Sequence, residues 1–291
     1  MSKTIVLIHG AWVTPASWAS FRQPLEAAGY SVHAPTWPRL DGFTPAEINA
    51  SPPAGFGALT VGTVVDHLQR FIEALPEQPI LIGHSFGGLY TQLLLDRGVG
   101  VAGVALNPVL IGGIVPGPTT LTAALPILAR PNGWNRPYAF SRDRWFRRFA
   151  NGAPKALSDQ AYDSFVIPAP GRIFYQAASW IGTLIDPRRR TAPLLITGGD
   201  ADRLVTPYLS RAAFRIQKGS PARTDYASFP GMSHFLIAEP GWELVAQTAL
   251  DWIEGLYLPK ASFSRSAAYS WAPAESATTS PMPKNSWVTP A

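Results

Sequence analysis

The sequence predicts an α/β fold: a mostly parallel sheet with helices on both faces and a helical lid inserted between two of its strands. Short apolar runs typical of strands alternate with helical patterns of about 10–15 residues. That alternation favours right-handed βαβ units and therefore a parallel sheet. One connection, over residues 112–190, is far longer than the roughly 4–6 residues usual in a compact domain, which indicates an inserted subdomain.

The elements follow in chain order from the spacing of apolar residues. The predicted strands are short, apolar and bounded by turn residues, and they cover 4–8, 31–34, 79–82, 103–106, 194–197 and 224–229. The predicted helices have apolar residues at helical spacing and cover 15–28, 60–75, 87–96, 207–217 and 241–255. Ligands of such sheets bind beyond the carboxyl ends of the strands, so residues that follow strands are the first candidates for a site.

The long insertion is interpreted as a lid over the active site. Residues 112–190 are rich in Pro, Trp and Arg and hold helical segments at about 143–149 and 159–165. Residues 1–111 and 191–258 would then form the core of the domain.

The C-terminal segment has a different composition. Residues 259–291 are rich in Ser, Ala and Pro, which predicts a disordered tail. Trp271 and Trp287 are the exceptions, because they are large apolar side chains that could dock on the domain.

Composition narrows the class of protein. The 291 residues are 46% hydrophobic, which is enough apolar material for a large core. There is no cysteine, so disulfides, a thiolate nucleophile and Cys-ligated metals are excluded. No apolar run reaches the roughly 18 residues of a membrane span, and the N-terminal apolar stretch is short for a signal peptide. We therefore expect a cytoplasmic protein without a membrane partner.

The net charge of +5 is concentrated in the insertion. Residues 130–190 carry ten arginines and Lys155 against four aspartates, so the rest of the chain is slightly acidic. A nucleic-acid face is one interpretation of this segment. The arginines come in bursts at 142–144 and 188–190 without the aromatic pattern of RNA-binding modules. We favour a solvated basic surface and expect no nucleic-acid partner.

The most informative motif is G-x-S-x-G at residues 83–87. It lies between the apolar run 79–82 and the helical run that starts at 87, and that context is typical of a nucleophile elbow. The glycines permit a cramped turn that lifts the Ser85 hydroxyl clear of the sheet. The helix that follows points free N–H groups at negative charge developing beside the serine. Ser85 is therefore the candidate nucleophile.

A serine nucleophile needs a histidine base, and the chain has five histidines. His234 lies in the loop after the last strand, which puts it at the carboxyl edge of the sheet beside Ser85. His67 falls within a polar helix face and His33 at a strand end without a motif. His9 and His84 are embedded in glycine loops, where we expect them to orient the backbone. His234 is therefore the predicted base.

Two aspartates compete to orient the histidine. Asp200 and Asp202 both lie in the loop after the fifth strand. Asp202 directly precedes the Arg-Leu-Val-Thr-Pro stretch that opens the next helix, and we favour it, with Asp200 capping the turn or facing solvent. The order Ser85, Asp202, His234 is the order in which these residues follow in α/β-hydrolases.

An oxyanion intermediate needs two N–H donors. One is expected from Phe86, which follows the nucleophile. The other is expected from the loop after the first strand, where Gly10 permits a tight bend and Ala11 is the natural donor, with Trp12 as runner-up. Loss of one such donor costs roughly 3–4 kcal/mol of transition-state stabilisation.

Together these motifs resemble the α/β-hydrolase superfamily over about residues 4–255. They are Val-Leu-Ile-His-Gly at 6–10, Gly-His-Ser-Phe-Gly-Gly at 83–88, the Asp202 loop and Gly-x-Ser-His-Phe at 231–235. The His-Gly-Ala-Trp start is similar to the small esterase and hydroxynitrile lyase branch and to a group of uncharacterised bacterial and fungal hydrolases. The resemblance implies a serine hydrolase that cleaves a carboxylic ester, a lactone or a thioester through an acyl-enzyme on Ser85, with no metal or organic cofactor.

Alternative functions share this scaffold. Hydroxynitrile lyases of the branch carry a lysine just after the catalytic histidine, where this chain has Phe235, so the lyase is disfavoured. Cofactor-free perhydrolases keep the same triad and are not separated from esterases by sequence. A non-catalytic ligand receptor is the alternative from another class, although no triad member is missing.

The substrate is expected to be a small apolar ester. Aromatic residues of the lid could line an apolar pocket or simply pack against one another. The candidates for the pocket are Trp12, Trp134, Trp145 and Phe235, and the other lid aromatics considered are Tyr138, Phe146, Tyr175 and Trp180.

Overall fold

The computed structural model describes residues 2–256 of the chain, so the predicted tail at 259–291 lies outside the described residues. The strands are β1 Thr4–Ile8, β2 Ser31–His33, β3 Ile80–His84, β4 Ala102–Leu106, β5 Pro137–Tyr138, β6 Ala169–Pro170, β7 Leu194–Gly199 and β8 Thr224–Phe229. The main sheet has the order β2-β1-β3-β4-β7-β8, and all five of its pairings are parallel. Strands β5 and β6 form a separate antiparallel pair.

Helices cover both faces of this sheet and fill the insertion. They are α1 Ala19–Ala27, α2 Pro45–Ala50, α3 Val61–Glu73, α4 Phe86–Asp96, α5 Pro118–Leu128, α6 Arg142–Arg148, α7 Lys155–Phe165, α8 Gly171–Ser179, α9 Pro207–Gln217 and α10 Trp242–Gly255. Within residues 2–256, none of them is long and apolar enough to cross a bilayer.

All six predicted strands are present; two have the predicted ends, and the ends of the other four differ by at most two residues. The predicted helix at 15–28 was wrong as one element: it is a 3₁₀ turn at Pro15–Trp18 followed by α1. Three helices were not predicted. Helix α2 is short, and Thr44 and Glu47 form a capping box at its N-terminus. Helices α5 and α8 belong to the insertion, and Pro126 inside α5 disguises it in the sequence.

The centre of the sheet and helix α4 form the most deeply buried part of the molecule. Every residue of β1, β3 and β4 is buried, as parallel strands covered on both faces should be. Helix α4 is buried from Phe86 to Leu95 because it packs against β3 and β4 on one side and α3 on the other. The turn between β3 and α4 therefore has rigid surroundings.

The insertion is tied to the core by hydrogen bonds as well as by side-chain packing. The Ile167 N–H donates to the Trp12 carbonyl at 2.9 Å, and the Thr14 N–H donates to the Phe165 carbonyl at 3.2 Å. The Asn151 amide donates to the Ala201 carbonyl at 2.9 Å. These bonds attach the insertion to the loops that follow β1 and β7, where the candidate site lies.

Candidate active site

The turn that carries Ser85 depends on close backbone contacts. Ser85 adopts φ 58°, in the left-handed region that residues other than glycine rarely occupy, and its N–H donates to the Leu106 carbonyl at 3.0 Å. A Cβ on Gly83 would lie 2.1 Å from the Gly87 oxygen, and a Cβ on Gly87 would lie 1.9 Å from the Ile8 oxygen. Both glycines are therefore required by space, and the strained serine is held at the end of β3.

The structure brings Asp202 and His234 together in a buried pair. The His234 Nδ1 and Asp202 Oδ2 atoms are 2.6 Å apart. The other carboxylate oxygen accepts the backbone N–H groups of Leu204 and Val205 at 2.7 and 2.8 Å. Asp200 is exposed instead, and its N–H donates to the Phe229 carbonyl. Of the two competing aspartates, Asp202 is the one that contacts the histidine.

Ser85 and His234 line the same cavity. His234 Nε2 is buried and has no hydrogen-bond partner among residues 2–256, so it is available to a group in that cavity. Gly10 lies directly against the serine, since a Cβ placed on it would be 2.7 Å from the Ser85 Cβ. The chain that follows β1 is thereby held beside Ser85.

The predicted oxyanion donors have free N–H groups. Within residues 2–256, no acceptor takes the N–H of Phe86, of Ala11 or of the runner-up Trp12. Trp12 has φ 66°, so the loop after β1 makes a left-handed turn here. Phe86 is the first residue of α4, where an unpaired N–H and the helix dipole both favour an anion.

Asn107 belongs to the site and was missed in the sequence. It follows β4 directly, and its amide nitrogen donates to Asp202 Oδ2 at 2.7 Å and to the Ser233 carbonyl at 3.2 Å. Its amide oxygen accepts the Gly199 N–H at 2.9 Å. The signal in the sequence is its place directly after a buried strand, because ligands of parallel sheets bind at the carboxyl ends of the strands. Ser85 has the same place after β3.

The two histidines in glycine loops, His9 and His84, form hydrogen bonds with backbone carbonyls. His84 Nε2 donates to the His234 carbonyl at 2.8 Å, and His9 Nδ1 donates to the Gly10 carbonyl at 2.9 Å. Burial lowers the pKa of His9 to about 4. Burial, with a smaller effect of His234, lowers the pKa of His84 well below its usual value. Both rings are therefore neutral at pH 7.

A buried carboxylate holds the histidine loop from the other side. The Glu239 side chain accepts the Ser233 N–H and the Ser233 hydroxyl, each at 2.5 Å. Burial raises the pKa of Glu239. From the lid, Phe149 packs edge-on against the His234 ring with a centroid distance of 4.7 Å. The loop that carries His234 is thus fixed by polar contacts from the core and by an aromatic contact from the lid.

The cavity that Ser85 and His234 line is otherwise mostly apolar. Three of its lining residues are polar, Ser85, His234 and Thr120, and no lining residue is charged. Helix α5 supplies one wall, and Thr120 on this helix donates to the Leu204 carbonyl at 2.9 Å. Helix α8 supplies another wall with Phe174 and two alanines. Among residues 2–256, no group of three His, Asp or Glu side chains is placed so that it could hold a metal ion.

The predicted pocket aromatics divide into one that lines the cavity and three that do not. Trp12 lines it. Trp145 and Phe235 are fully buried and pack against each other at 5.6 Å, and Trp145 also stacks on Phe149 at 4.1 Å. Trp134 is 48% exposed and touches the edge of the Tyr175 ring instead. None of these three residues forms a wall of this cavity.

The sequence matches the model of the alpha/beta hydrolase family over residues 5–248. The chain therefore belongs to this family of enzymes, which confirms the predicted fold class and superfamily. A search of the curated proteins gave no match.

Solved structures with the same fold are numerous. A pyrethroid hydrolase from Sphingobium faniae is 20% identical with a TM-score of 0.66, and the match covers 87% of this chain and 98% of that one. A methylesterase from Arabidopsis is 16% identical with a TM-score of 0.61, covering 87% and 99%. A monoacylglycerol lipase from Paleococcus ferrophilus is 22% identical with a TM-score of 0.63, covering 87% and 94%. At these identities the similarity establishes the fold.

Proposed function

We propose that this chain is a serine hydrolase that cleaves a small apolar carboxylic ester through an acyl-enzyme on Ser85. The observation that carries the proposal is the buried Asp202–His234 pair, whose free Nε2 lies in the cavity that Ser85 also lines. The three solved structures named above are described as a pyrethroid hydrolase, a methylesterase and a lipase, and ester cleavage is compatible with all three descriptions.

The mechanism assigns one task to each group. Ser85 Oγ attacks the acyl carbon while His234 Nε2 accepts its proton, and Asp202 stabilises the imidazolium and holds its tautomer. The N–H groups of Phe86 and Ala11 stabilise the oxyanion. His234 then gives its proton to the leaving alcohol. Water repeats the attack on the acyl-enzyme, with His234 again as the base, and frees the acid.

An uncharged, apolar substrate fits the walls of the cavity. A charged group would lose its hydration there and find no counter-ion among the lining residues. A lactone or a thioester would react by the same steps. The cytoplasmic location predicted from the sequence stays a prediction.

The alternatives have less support. Phe235 is buried against Trp145 and supplies no cation near the cavity, so it offers nothing to a departing cyanide. Perhydrolysis would use the same groups with peroxide in place of water. A non-catalytic receptor has no need of a free, buried Nε2 beside a strained serine.

Turnover of p-nitrophenyl esters of increasing acyl length tests the proposal. Ser85→Ala should lower kcat by about 10⁵–10⁶-fold, as removal of a serine nucleophile does in other hydrolases. A fluorophosphonate probe should label the wild type, and mass spectrometry should place the label on Ser85. Undiminished turnover by Ser85→Ala would exclude the mechanism. Absence of both turnover and labelling in the wild type would favour the receptor, and cleavage of mandelonitrile would favour the lyase.

A further inference from the structure

Asn107 joins three segments that form the candidate site. Its amide contacts the carboxylate of Asp202, the carbonyl of Ser233 next to the histidine and the N–H of Gly199 at the end of β7. The side chain is fully buried, so no water competes for these bonds from bulk solvent. Both amide hydrogens and the amide oxygen are therefore used within the site.

The backbone at this position is also unusual. Asn107 has φ 42°, in the left-handed region, where asparagine is one of the few residues found regularly. Its own N–H lies 3.4 Å from the Thr197 hydroxyl oxygen of β7. The strain of this turn is offset by contacts to β7 and to the two loops that carry Asp202 and His234.

We propose that Asn107 is a positioning residue that aims the Asp202 carboxylate at His234 and sets how readily the imidazole accepts a proton. This inference rests on the proposed hydrolase function. Asp202 Oδ2 accepts from His234 and from Asn107 on the same oxygen, at 2.6 and 2.7 Å. Without the amide, that oxygen would be held by the imidazole alone.

The amide also affects charge. Its N–H groups present the positive end of a dipole to Asp202, close to where the imidazolium forms, and so oppose protonation of His234. The titratable groups that face this pair are His84, which is neutral, and Glu239, which lies beyond Ser233. Neither is altered by a change at residue 107, so a shift in the titration of His234 would report on the amide.

Asn107→Gly and Asn107→Ala test this role. Both remove the amide, and Gly also relieves the strain at φ 42°, so that agreement between them excludes a backbone effect. We expect kcat for a p-nitrophenyl ester to fall about 10–100-fold with KM changed less than about threefold. In the pH profile of kcat/KM for this ester, we expect the midpoint of the acid limb to move to higher pH by roughly half a unit to one unit. Asn49→Ala, which removes one amide bond to the Val166 carbonyl, should leave the limb in place.

A second measurement does not depend on activity. Titration of the His234 ring by NMR, assigned with a His234→Asn variant, should show the same upward movement in both Asn107 variants. A fall in kcat with an unmoved His234 midpoint would assign Asn107 a merely structural role, and so would an equal effect of Asn49→Ala. A wild type without esterase activity would refute the proposed function, while the NMR midpoint would still decide the role of Asn107.

Discussion

The carboxyl edge of the sheet and the lid are built by different forces. At the edge, Ser85, Asp202 and His234 are fixed by hydrogen bonds and by backbone contacts that exclude even a methyl group. In the lid, the walls of the cavity are mostly aliphatic and aromatic side chains, and Thr120 is the polar exception. We therefore expect the rate of the proposed reaction and the choice of substrate to be set by different parts of the molecule. A change at the edge should alter the rate for every substrate, and a change in the lid should alter the order of preference.

Apart from loss of the serine itself, the largest effect is expected from Asp202→Asn. An asparagine cannot hold the His234 Nδ1–H in the tautomer that the reaction needs, so kcat should fall by about 10⁴-fold for every ester tested. Asp200→Asn is the matched control, because Asp200 lies in the same loop as Asp202 but is exposed to solvent. Its kcat should stay within about twofold. Equal losses in the two variants would mean that the structure assigns the wrong carboxylate.

Gly87→Ala tests the steric side of the edge. The added methyl group would meet the Ile8 oxygen at 1.9 Å, so we expect a loss of at least about 4 kcal/mol in the free energy of unfolding in urea. Gly62→Ala in α3 is the control, since the nearest atom to its new Cβ is 3.8 Å away. That change should be neutral or add up to about 1 kcal/mol. A Gly87→Ala chain as stable as the wild type would show that the turn adapts freely.

The burial of His9 predicts how the core responds to acid. Its pKa falls from 6.5 in the unfolded chain to about 4 in the folded one. Between these values the unfolded chain binds a proton that the folded chain does not, so stability is lost as pH falls, by about 3 kcal/mol. His84 acts in the same direction. In His9→Asn the amide can still donate to the Gly10 carbonyl, and urea unfolding across this range should show a shallower loss.

Ala124→Leu should change preference without changing reactivity. Ala124 lines the cavity from α5, and a larger side chain there would shorten the space for an acyl chain. We expect the ratio of long-chain to acetyl ester kcat/KM to fall about 10–100-fold, with the acetyl ester little affected. Ala129→Leu is the control, because this residue caps α5 outside the cavity. Equal losses for both esters would contradict the separation of rate from preference.

Trp134→Ala should have the smallest effect. The side chain is nearly half exposed at the lid surface and does not line the cavity. We expect kcat/KM for short and long esters to stay within about twofold of the wild type. A large and selective loss for the long esters would restore Trp134 as a substrate-binding residue.

The parts of the site that were predictable depend on local sequence. The Ser85 turn shows in its two glycines, and the Asp202 and His234 loops show in their order and their place after strands. Asn107 was missed because its partner Asp202 lies 95 residues further along the chain and no local pattern marks the contact. Helix α5 was missed because Pro126 interrupts its apolar pattern. Since α5 supplies one wall of the cavity, that wall was missed as well. The aromatic residues were misleading because size alone does not say which side of a lid they face.

The hydrogen bonds between Trp12 and Ile167 and between Thr14 and Phe165 have a consequence for protein engineering. A chimera that takes residues 112–190 from another family member would keep these backbone hydrogen bonds only if the new segment follows the same path there. Otherwise the loop that holds Ala11 would loosen. A graft that loses these bonds should impair the proposed reaction even with every core residue intact. A successful lid exchange should therefore carry the donor's counterpart of residues 12–14 along with the lid.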